Sequence, residues 1–177
     1  MHPRLPALFR IVARISTLCG VIAASMIVAA VLITCQMIFV RFVLNGTTTW
    51  QTEAVIYLVI GATLIGLAYV QRLRGHVNVD LVPLALPAPL RVVLAAVVLG
   101  ATLAITCVMA WHGFELFHVA AERGWRSDTV WGAKLWIPYL ALPVGFGLFA
   151  LQLAADLVAV LTGHQQPFAP PSTGEDA

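Results

Sequence analysis

The chain has 177 residues, of which 60% are hydrophobic and only 10% are charged, and its mean hydropathy is +0.92. A typical soluble domain carries roughly 25% charged residues, and a chain of this size has too little interior to hide so much apolar surface. This composition excludes a soluble enzyme and a disordered chain, and the formal net charge of +2 is too small to indicate a nucleic-acid partner.

Four long apolar stretches separate the charged residues. A helix rises ~1.5 Å per residue and the hydrocarbon core of a bilayer is ~30 Å thick, so about 20 apolar residues are enough to cross it. Helices satisfy their own backbone groups in lipid, and the sequence lacks the short alternating segments of a β-barrel. We therefore predict an all-α integral membrane protein with four transmembrane helices, at about 15–40, 51–71, 92–114 and 135–155.

Two terminal segments flank the predicted transmembrane domain, which covers residues 15–162. Apolar residues in the basic segment 1–14 fall at helical spacing, which is typical of a short helix lying at the membrane interface. A disordered basic tail is the alternative for this segment. Residues 163–177 are rich in proline and end in acidic residues, so we expect a disordered tail.

The distribution of basic residues predicts the orientation. Four spans put both termini on one side, and a cytoplasmic N-terminus places six arginines inside and four basic residues outside. Cytoplasmic loops carry the excess of Lys and Arg, and the first helix usually dominates, so both termini are predicted to be cytoplasmic. The inner residues are Arg4, Arg10, Arg14, Arg72, Arg74 and Arg91, and the outer residues are Arg41, Arg123, Arg126 and Lys134.

The second span has recognisable start signals. Thr48 and Gln51 have the spacing of a capping box, and Glu53 falls in the first turn, where the helix dipole stabilises an anion. All five tryptophans of the chain lie on or near the outer face in this topology, where either lipid anchoring or contact with another protein explains them. They are Trp50, Trp111, Trp125, Trp131 and Trp136.

The inner connection, residues 72–91, contains three prolines that prevent a long regular helix. We expect this segment to lie along the inner membrane interface. His76 and Asp80 are four residues apart, but their surroundings are too irregular to predict a ligand pair.

The outer connection begins with polar residues at helical spacing. Glu115, His118, Glu122 and Arg126 share one face beyond the apolar end of the third span. This spacing predicts that the third helix continues outside the membrane and ends near Gly124. A solvated face explains the polar residues better than a metal site does.

The middles of the four predicted spans contain no Asp, Glu, Lys or Arg. A chain that carries solutes by itself usually places charges or broken helices at the membrane midplane, and here only Pro143, with Gly145 and Gly147 after it, signals a break. The three cysteines fall inside spans, so neither a disulfide framework nor a CxxC metal site is predicted, and we expect no cofactor. The pattern indicates an accessory or scaffold subunit.

Small residues recur every seven positions along the second span, at Ala54, Gly61 and Ala68. Such residues let two helix backbones approach closely in lipid. The stripe predicts a helix–helix contact, either within this chain or with another chain.

Several short motifs occur along the chain in an order that resembles one transporter family. They are Arg41 and Phe42 at the end of helix 1, W-x-x-E at Trp50 and Glu53, then Gly61 and Ala62, R-x-R-G-H-V-N-V-D from Arg72 to Asp80, Pro87, Arg91, and I-P-Y-L-A-L-P-V-G from Ile137 to Gly145. Over roughly residues 15–155, this set is similar to the small permease subunit of the tripartite ATP-independent periplasmic (TRAP) transporters.

The resemblance implies a bacterial inner-membrane subunit with no catalytic residue. Its partners would be a separate large permease subunit, which holds the substrate and sodium sites and moves as an elevator, and a periplasmic binding protein that delivers an organic anion. The resemblance also implies structural or subunit-interface roles for Arg41, Trp50, Glu53, Gly61, Arg72, His76, Asp80, Pro138, Pro143 and Gly145, and contacts with the binding protein for Arg123, Arg126 and Asp128.

Two other functions fit a small membrane protein. A membrane-anchor subunit of a redox complex would bind haem or quinone, and haem needs axial histidines within the helices, whereas only His112 lies in a span. A self-sufficient exporter is disfavoured by the uncharged middles of the spans.

Overall fold

The computed structural model describes the backbone of residues 7–73 and 87–162. Within these ranges the chain forms four helices, and each is long and apolar enough to cross a membrane. The prediction of an all-α protein with four candidate spans is therefore confirmed. The helices are α1 (Ala7–Phe42), α2 (Gln51–Arg72), α3 (Ala88–Glu122) and α4 (Trp136–Leu161).

Several expectations fall outside the described residues. His76 and Asp80, the interfacial position of the segment between α2 and α3, and the disordered tail at 163–177 are among them. At the N-terminus, α1 is one continuous helix from Ala7, so residues 7–14 form its first turns. Their position at the membrane interface stays a prediction.

The helices pack in the spatial order α1, α2, α4, α3, with a smaller contact between α1 and α4. The two central helices each contact neighbours on two sides. The outer helices α1 and α3 each have one main neighbour, and large apolar side chains remain exposed along both, including Val31 and Ile105. A membrane protein can leave such faces uncovered because lipid tails are as apolar as leucine.

Glycines lie at all three main helix–helix contacts. A Cβ atom at Gly61 of α2 would come within 2.5 Å of Met26 of α1, and one at Gly145 of α4 would lie 2.7 Å from the backbone oxygen of Leu64. At Gly113 of α3, a Cβ atom would lie 2.9 Å from the Cβ of Leu142. The small-residue stripe predicted a close helix–helix contact, and at Gly61 the contacting helix is α1 of the same chain.

The break predicted within the last span does not interrupt the helix. Pro143 lies inside α4, which continues for 26 residues as one element. Proline is tolerated in a transmembrane helix because neighbouring groups can satisfy the carbonyl that it frees.

The ends of α2 and α3 differ in how well the sequence predicted them. The predicted capping box at Thr48 and Gln51 is wrong, because Trp50 is the N-cap without a side-chain bond and Gln51 turns its amide towards Gln36 of α1. By contrast, α3 ends as predicted, with Gly124 in the left-handed region at φ 59°. The amides of Gly124 and Trp125 bond back to Ala121 and Ala120, which is the Schellman pattern.

Candidate functional site

A carboxylate lies in the first turn of α2, where Glu53 is only 8% exposed. The hydroxyl of Thr129 donates to its Oε2 at 2.5 Å, and the hydroxyl of Tyr57, one turn along α2, donates to Oε1. In the part of the chain that the structure describes, Glu53 has no ion pair with a basic residue. Hydroxyl donors and the positive end of the helix dipole therefore stabilise its charge.

Thr129 reaches Glu53 because the connection between α3 and α4, residues 123–135, folds back as a narrow loop. Its two arms pair at a single antiparallel bridge between Arg126 and Lys134. The amide of Ser127 donates to the carbonyl of Ala133 at 2.9 Å, next to the bridge. We call residues 123–135 the bridge loop.

A tight turn forms the tip of the bridge loop. The amide of Gly132 donates to the carbonyl of Thr129 at 3.0 Å, and Gly132 has φ 58°, a conformation that other residues rarely adopt. The hydroxyl of Ser127 also donates to the Thr129 hydroxyl at 3.1 Å. These bonds fix Thr129 in position to donate to Glu53.

Aromatic rings pack beside the carboxylate. The ring of Trp131 in the bridge loop lies 6.3 Å from that of Trp50 and stacks on Tyr57 with the centroids 6.4 Å apart. Two of the five tryptophans thus contact each other within the chain. The sequence predicted only contacts with lipid or with another protein for these residues. We call Trp50, Glu53, Tyr57, Thr129 and Trp131 the tryptophan cluster.

A second polar set joins three helices at the other end of the bundle. Ser16 of α1 donates to Gln152 of α4 at 2.6 Å, and Gln152 donates to Asp156 one turn later at 2.8 Å. Gln71 of α2 donates to the other oxygen of Asp156 at 3.1 Å. We call these four residues the glutamine network.

The glutamine network also shows the relative direction of the helices. Because Ser16 near the start of α1 contacts Gln152 near the end of α4, the beginning of α1 and the end of α4 lie at the same end of the bundle. Arg72 is at this end too, and its guanidinium donates to the carbonyl of Ala13 at 2.9 Å and to the Thr17 hydroxyl.

The residues singled out from the sequence are distributed over both ends and the middle of the bundle. Trp50 and Glu53 meet in the tryptophan cluster. Gly61 and the buried Pro138 line an apolar groove of about 270 Å³ between α2 and α4. Arg41 is exposed in the last turn of α1, where a cation is favoured by the helix dipole.

The three residues predicted to contact a binding protein lie together. Arg123, Arg126 and Asp128 are exposed and belong to the first half of the bridge loop. The loop brings a fourth charged side chain, the exposed Lys134, opposite Arg126.

The polar stripe at the end of α3 forms local pairs. His112 contacts Glu115 at 3.0 Å and His118 contacts Glu122 at 3.4 Å, and all four side chains are more than half exposed. Within the described residues, no group of three or more His, Cys, Asp or Glu residues could hold a metal ion. This part of α3 carries a solvated face in the structure.

Sequence reasoning missed the partners of Glu53 and most of the glutamine network. Tyr57 is one helical turn after Glu53, so its spacing was a usable signal. Thr129 is 76 residues away in an irregular segment, and no periodic pattern links it to Glu53. Asp156 lay just beyond the predicted end of the fourth span, and α4 extends past it.

Comparison with known proteins identifies the family to which these features correspond. The profile of the family described as tripartite ATP-independent periplasmic transporters, DctQ component, matches residues 30–163. The chain is 24% identical over 156 residues to the C4-dicarboxylate TRAP transporter small permease protein DctQ of Vibrio cholerae, covering 76% of this chain and 67% of that protein. It is 28% identical over 120 residues to the protein of the same name from Pseudomonas aeruginosa, covering 66% of this chain and 57% of that protein.

Proposed function

Because the chain belongs to the DctQ family, the small permease component of TRAP transporters, we propose that it braces a separate large permease subunit during sodium-coupled, binding-protein-dependent uptake of an organic acid. The family is a transporter permease family and not an enzyme family, so the alternative of a redox membrane anchor is set aside. The match over residues 30–163 is the observation that carries the proposal.

The fold supports a bracing role. Glycine contacts hold α2 closely against both α1 and α4. The charged residues of the central helices lie towards the helix ends, with Glu53 in the first turn and Arg72 in the last turn of α2, and Asp156 five residues before the end of α4. Each described span is a continuous helix, whereas transporters that form their own substrate site typically use discontinuous helices at the midplane.

We further propose that the protein lies in the bacterial inner membrane with both termini in the cytoplasm. The start of α1 and the end of α4 share one end of the bundle, and six arginines favour the cytoplasmic side for that end against four basic residues on the other. The tryptophan cluster and the bridge loop are then periplasmic.

The partners follow from this orientation. The exposed apolar faces of α1 and α3 offer the large permease subunit contact surface within the membrane, and the bridge loop offers the periplasmic substrate-binding protein a docking surface. We propose a carboxylated anion as the solute, with C4-dicarboxylates as the first to test, since both relatives are named for them.

Co-purification tests the proposed assembly. The chain, carrying an affinity tag, is co-expressed with a candidate TRAP large permease, and the untagged permease is followed through affinity and size-exclusion steps. We expect the two chains to elute together. Recovery of the tagged chain without the permease, when the same permease is present and folded in the membrane fraction, would contradict the proposal.

A further inference from the structure

The tip of the bridge loop exposes an apolar side chain that the fold does not use. Val130 is 91% exposed, the largest exposed fraction of any large hydrophobic residue in the described chain. Its neighbours on both sides are held by contacts with α2, with Thr129 bonded to Glu53 and Trp131 stacked on Tyr57, although Trp131 remains 44% exposed. The loop therefore presents Val130, and part of the Trp131 ring, at a fixed position.

The charges around Val130 are unbalanced. Arg126 and Lys134 stand opposite each other across the bridge, and both are exposed. Like charges directly opposite on paired strands destabilise the pairing. In the part of the chain that the structure describes, neither cation has an ion pair with a carboxylate, since the two recorded pairs involve His112 and His118.

Such a surface fits a protein partner better than a bilayer. An apolar centre within a polar and charged rim is the usual anatomy of a protein–protein interface. The indole of Trp131 packs on the rings of Trp50 and Tyr57 and leaves 44% of the residue exposed. The apolar part of the tip is therefore Val130 with the exposed part of Trp131, and the exposed Asp128 lies two residues before Val130.

We propose that Val130, with Arg126 and Lys134 beside it, docks into an apolar depression with an acidic rim on the periplasmic substrate-binding protein, and that Glu53 is a positioning residue that holds this tip in place through Thr129. The proposal rests on the proposed function and deepens it. Complementary charges across such an interface mainly raise the association rate and fix the orientation of the partners.

The docking part is tested on the complex of this chain with the large permease in lipid nanodiscs, by measuring the Kd of the purified binding protein. We expect Val130→Asp to weaken binding at least tenfold, because it removes the apolar contact and adds a charge that an acidic rim repels. Val43→Asp is the matched control, since Val43 is also exposed and lies in the connection between α1 and α2. It should leave the Kd within twofold of wild type.

The positioning part is tested by trypsin cleavage after Arg126 and Lys134 in the same complex. Glu53→Ala should speed these cleavages and raise the Kd, without changing cleavage after Arg41 or the yield of the complex. Glu53→Gln keeps an acceptor oxygen for the Thr129 hydroxyl and should restore most of the protection. Equal cleavage rates in Glu53→Ala and wild type would overturn the positioning role.

The outcomes separate this inference from the proposed function. If the wild-type chain fails to assemble with the permease, the proposed function fails. If the complex assembles and Val130→Asp binds the binding protein as wild type does, only the docking inference fails. Protection of Lys134 by anionic vesicles alone, lost in Val130→Asp, would overturn it in favour of a tip that inserts into lipid.

Discussion

At the scale of single residues, Glu53 shows how a carboxylate is held at the end of a membrane helix without a basic partner in the described chain. Both of its oxygens accept hydrogen bonds from hydroxyl groups, one on the same helix and one on the bridge loop. Hydrogen bonds to an ionised acceptor are about twice as strong as neutral ones. The bond from Thr129 therefore offsets part of the desolvation energy of the buried Glu53 carboxylate, and it also holds the bridge loop against α2.

The Thr129 hydroxyl is the testable part of this arrangement. Thr129→Val keeps the shape of the side chain and removes the donor, so the buried carboxylate loses one partner. We expect a loss of about 2 kcal/mol in the free energy of unfolding, since the acceptor is charged, measured by denaturant titration in detergent micelles. Thr129→Ser retains the hydroxyl and should stay near wild type. A Thr129→Val protein as stable as wild type would show that the bond contributes nothing.

The sequence predicted the position of Glu53 but not its contacts. Its place in the first turn followed from the edge of an apolar segment. The bond to Thr129 depends on how residues 123–135 fold, and that fold rests on backbone bonds and on a glycine at positive φ, which leave no periodic signal. Tyr57 was predictable from its spacing of four residues after Glu53. Asp156 lies one residue beyond the apolar segment 135–155 that was predicted as the fourth span, whereas α4 continues to Leu161.

At the scale of helices, glycine positions determine how closely α2 can approach its neighbours. Gly145 faces the backbone of Leu64 directly, whereas at Gly147, two residues later on the same helix, an added Cβ atom would meet no atom within 4 Å. The two glycines therefore have different roles despite their proximity. Gly145 belongs to the packing of α4 on α2.

This difference gives a matched pair of substitutions. Gly145→Ala forces α4 away from Leu64, and overpacking of this kind costs typically ~1–3 kcal/mol. Gly147→Ala meets open space, and alanine has the higher helix propensity, so it should be neutral or slightly stabilising. Thermal unfolding of the detergent-solubilised variants, followed by circular dichroism, measures both effects. Equal melting temperatures for the two variants would contradict the packing described.

The helix bounds show what the long stretches without charged residues can and cannot predict. These stretches predicted all four helices, because charged residues avoid the hydrocarbon core. The uncharged stretches did not predict how far each helix continues beyond the hydrocarbon core, since a helix can extend into water. In α3, the extension carries the His118–Glu122 pair at i,i+4 and ends at the Gly124 turn, both of which were visible as spacing and as a glycine signal.

At the scale of the whole molecule, the two ends of the bundle have different polar groups. One end holds the tryptophan cluster and the bridge loop, and the other holds the glutamine network and Arg72. The apolar middles between them carry the helix–helix contacts. In the proposed topology, the end that holds the tryptophan cluster and the bridge loop is the periplasmic one.

The orientation can be measured with single cysteines in a variant whose three native cysteines are replaced by serine. Val130→Cys should react in intact spheroplasts with a maleimide that cannot cross the membrane, because the bridge loop is periplasmic in the proposed topology. Leu161→Cys, at the other end of the bundle, should react only after the membrane is permeabilised. The reverse pattern of labelling would place both termini in the periplasm.

Sodium-driven uptake by reconstituted proteoliposomes tests the central claim most directly. Liposomes containing the partner large permease, with or without this chain, are supplied with the binding protein, a sodium gradient and radiolabelled C4-dicarboxylate, and liposomes with this chain alone complete the set. We predict uptake only when both membrane subunits are present, and none by this chain alone. Full uptake by the large permease without this chain, or solute flux through this chain alone, would contradict its assignment as an accessory brace.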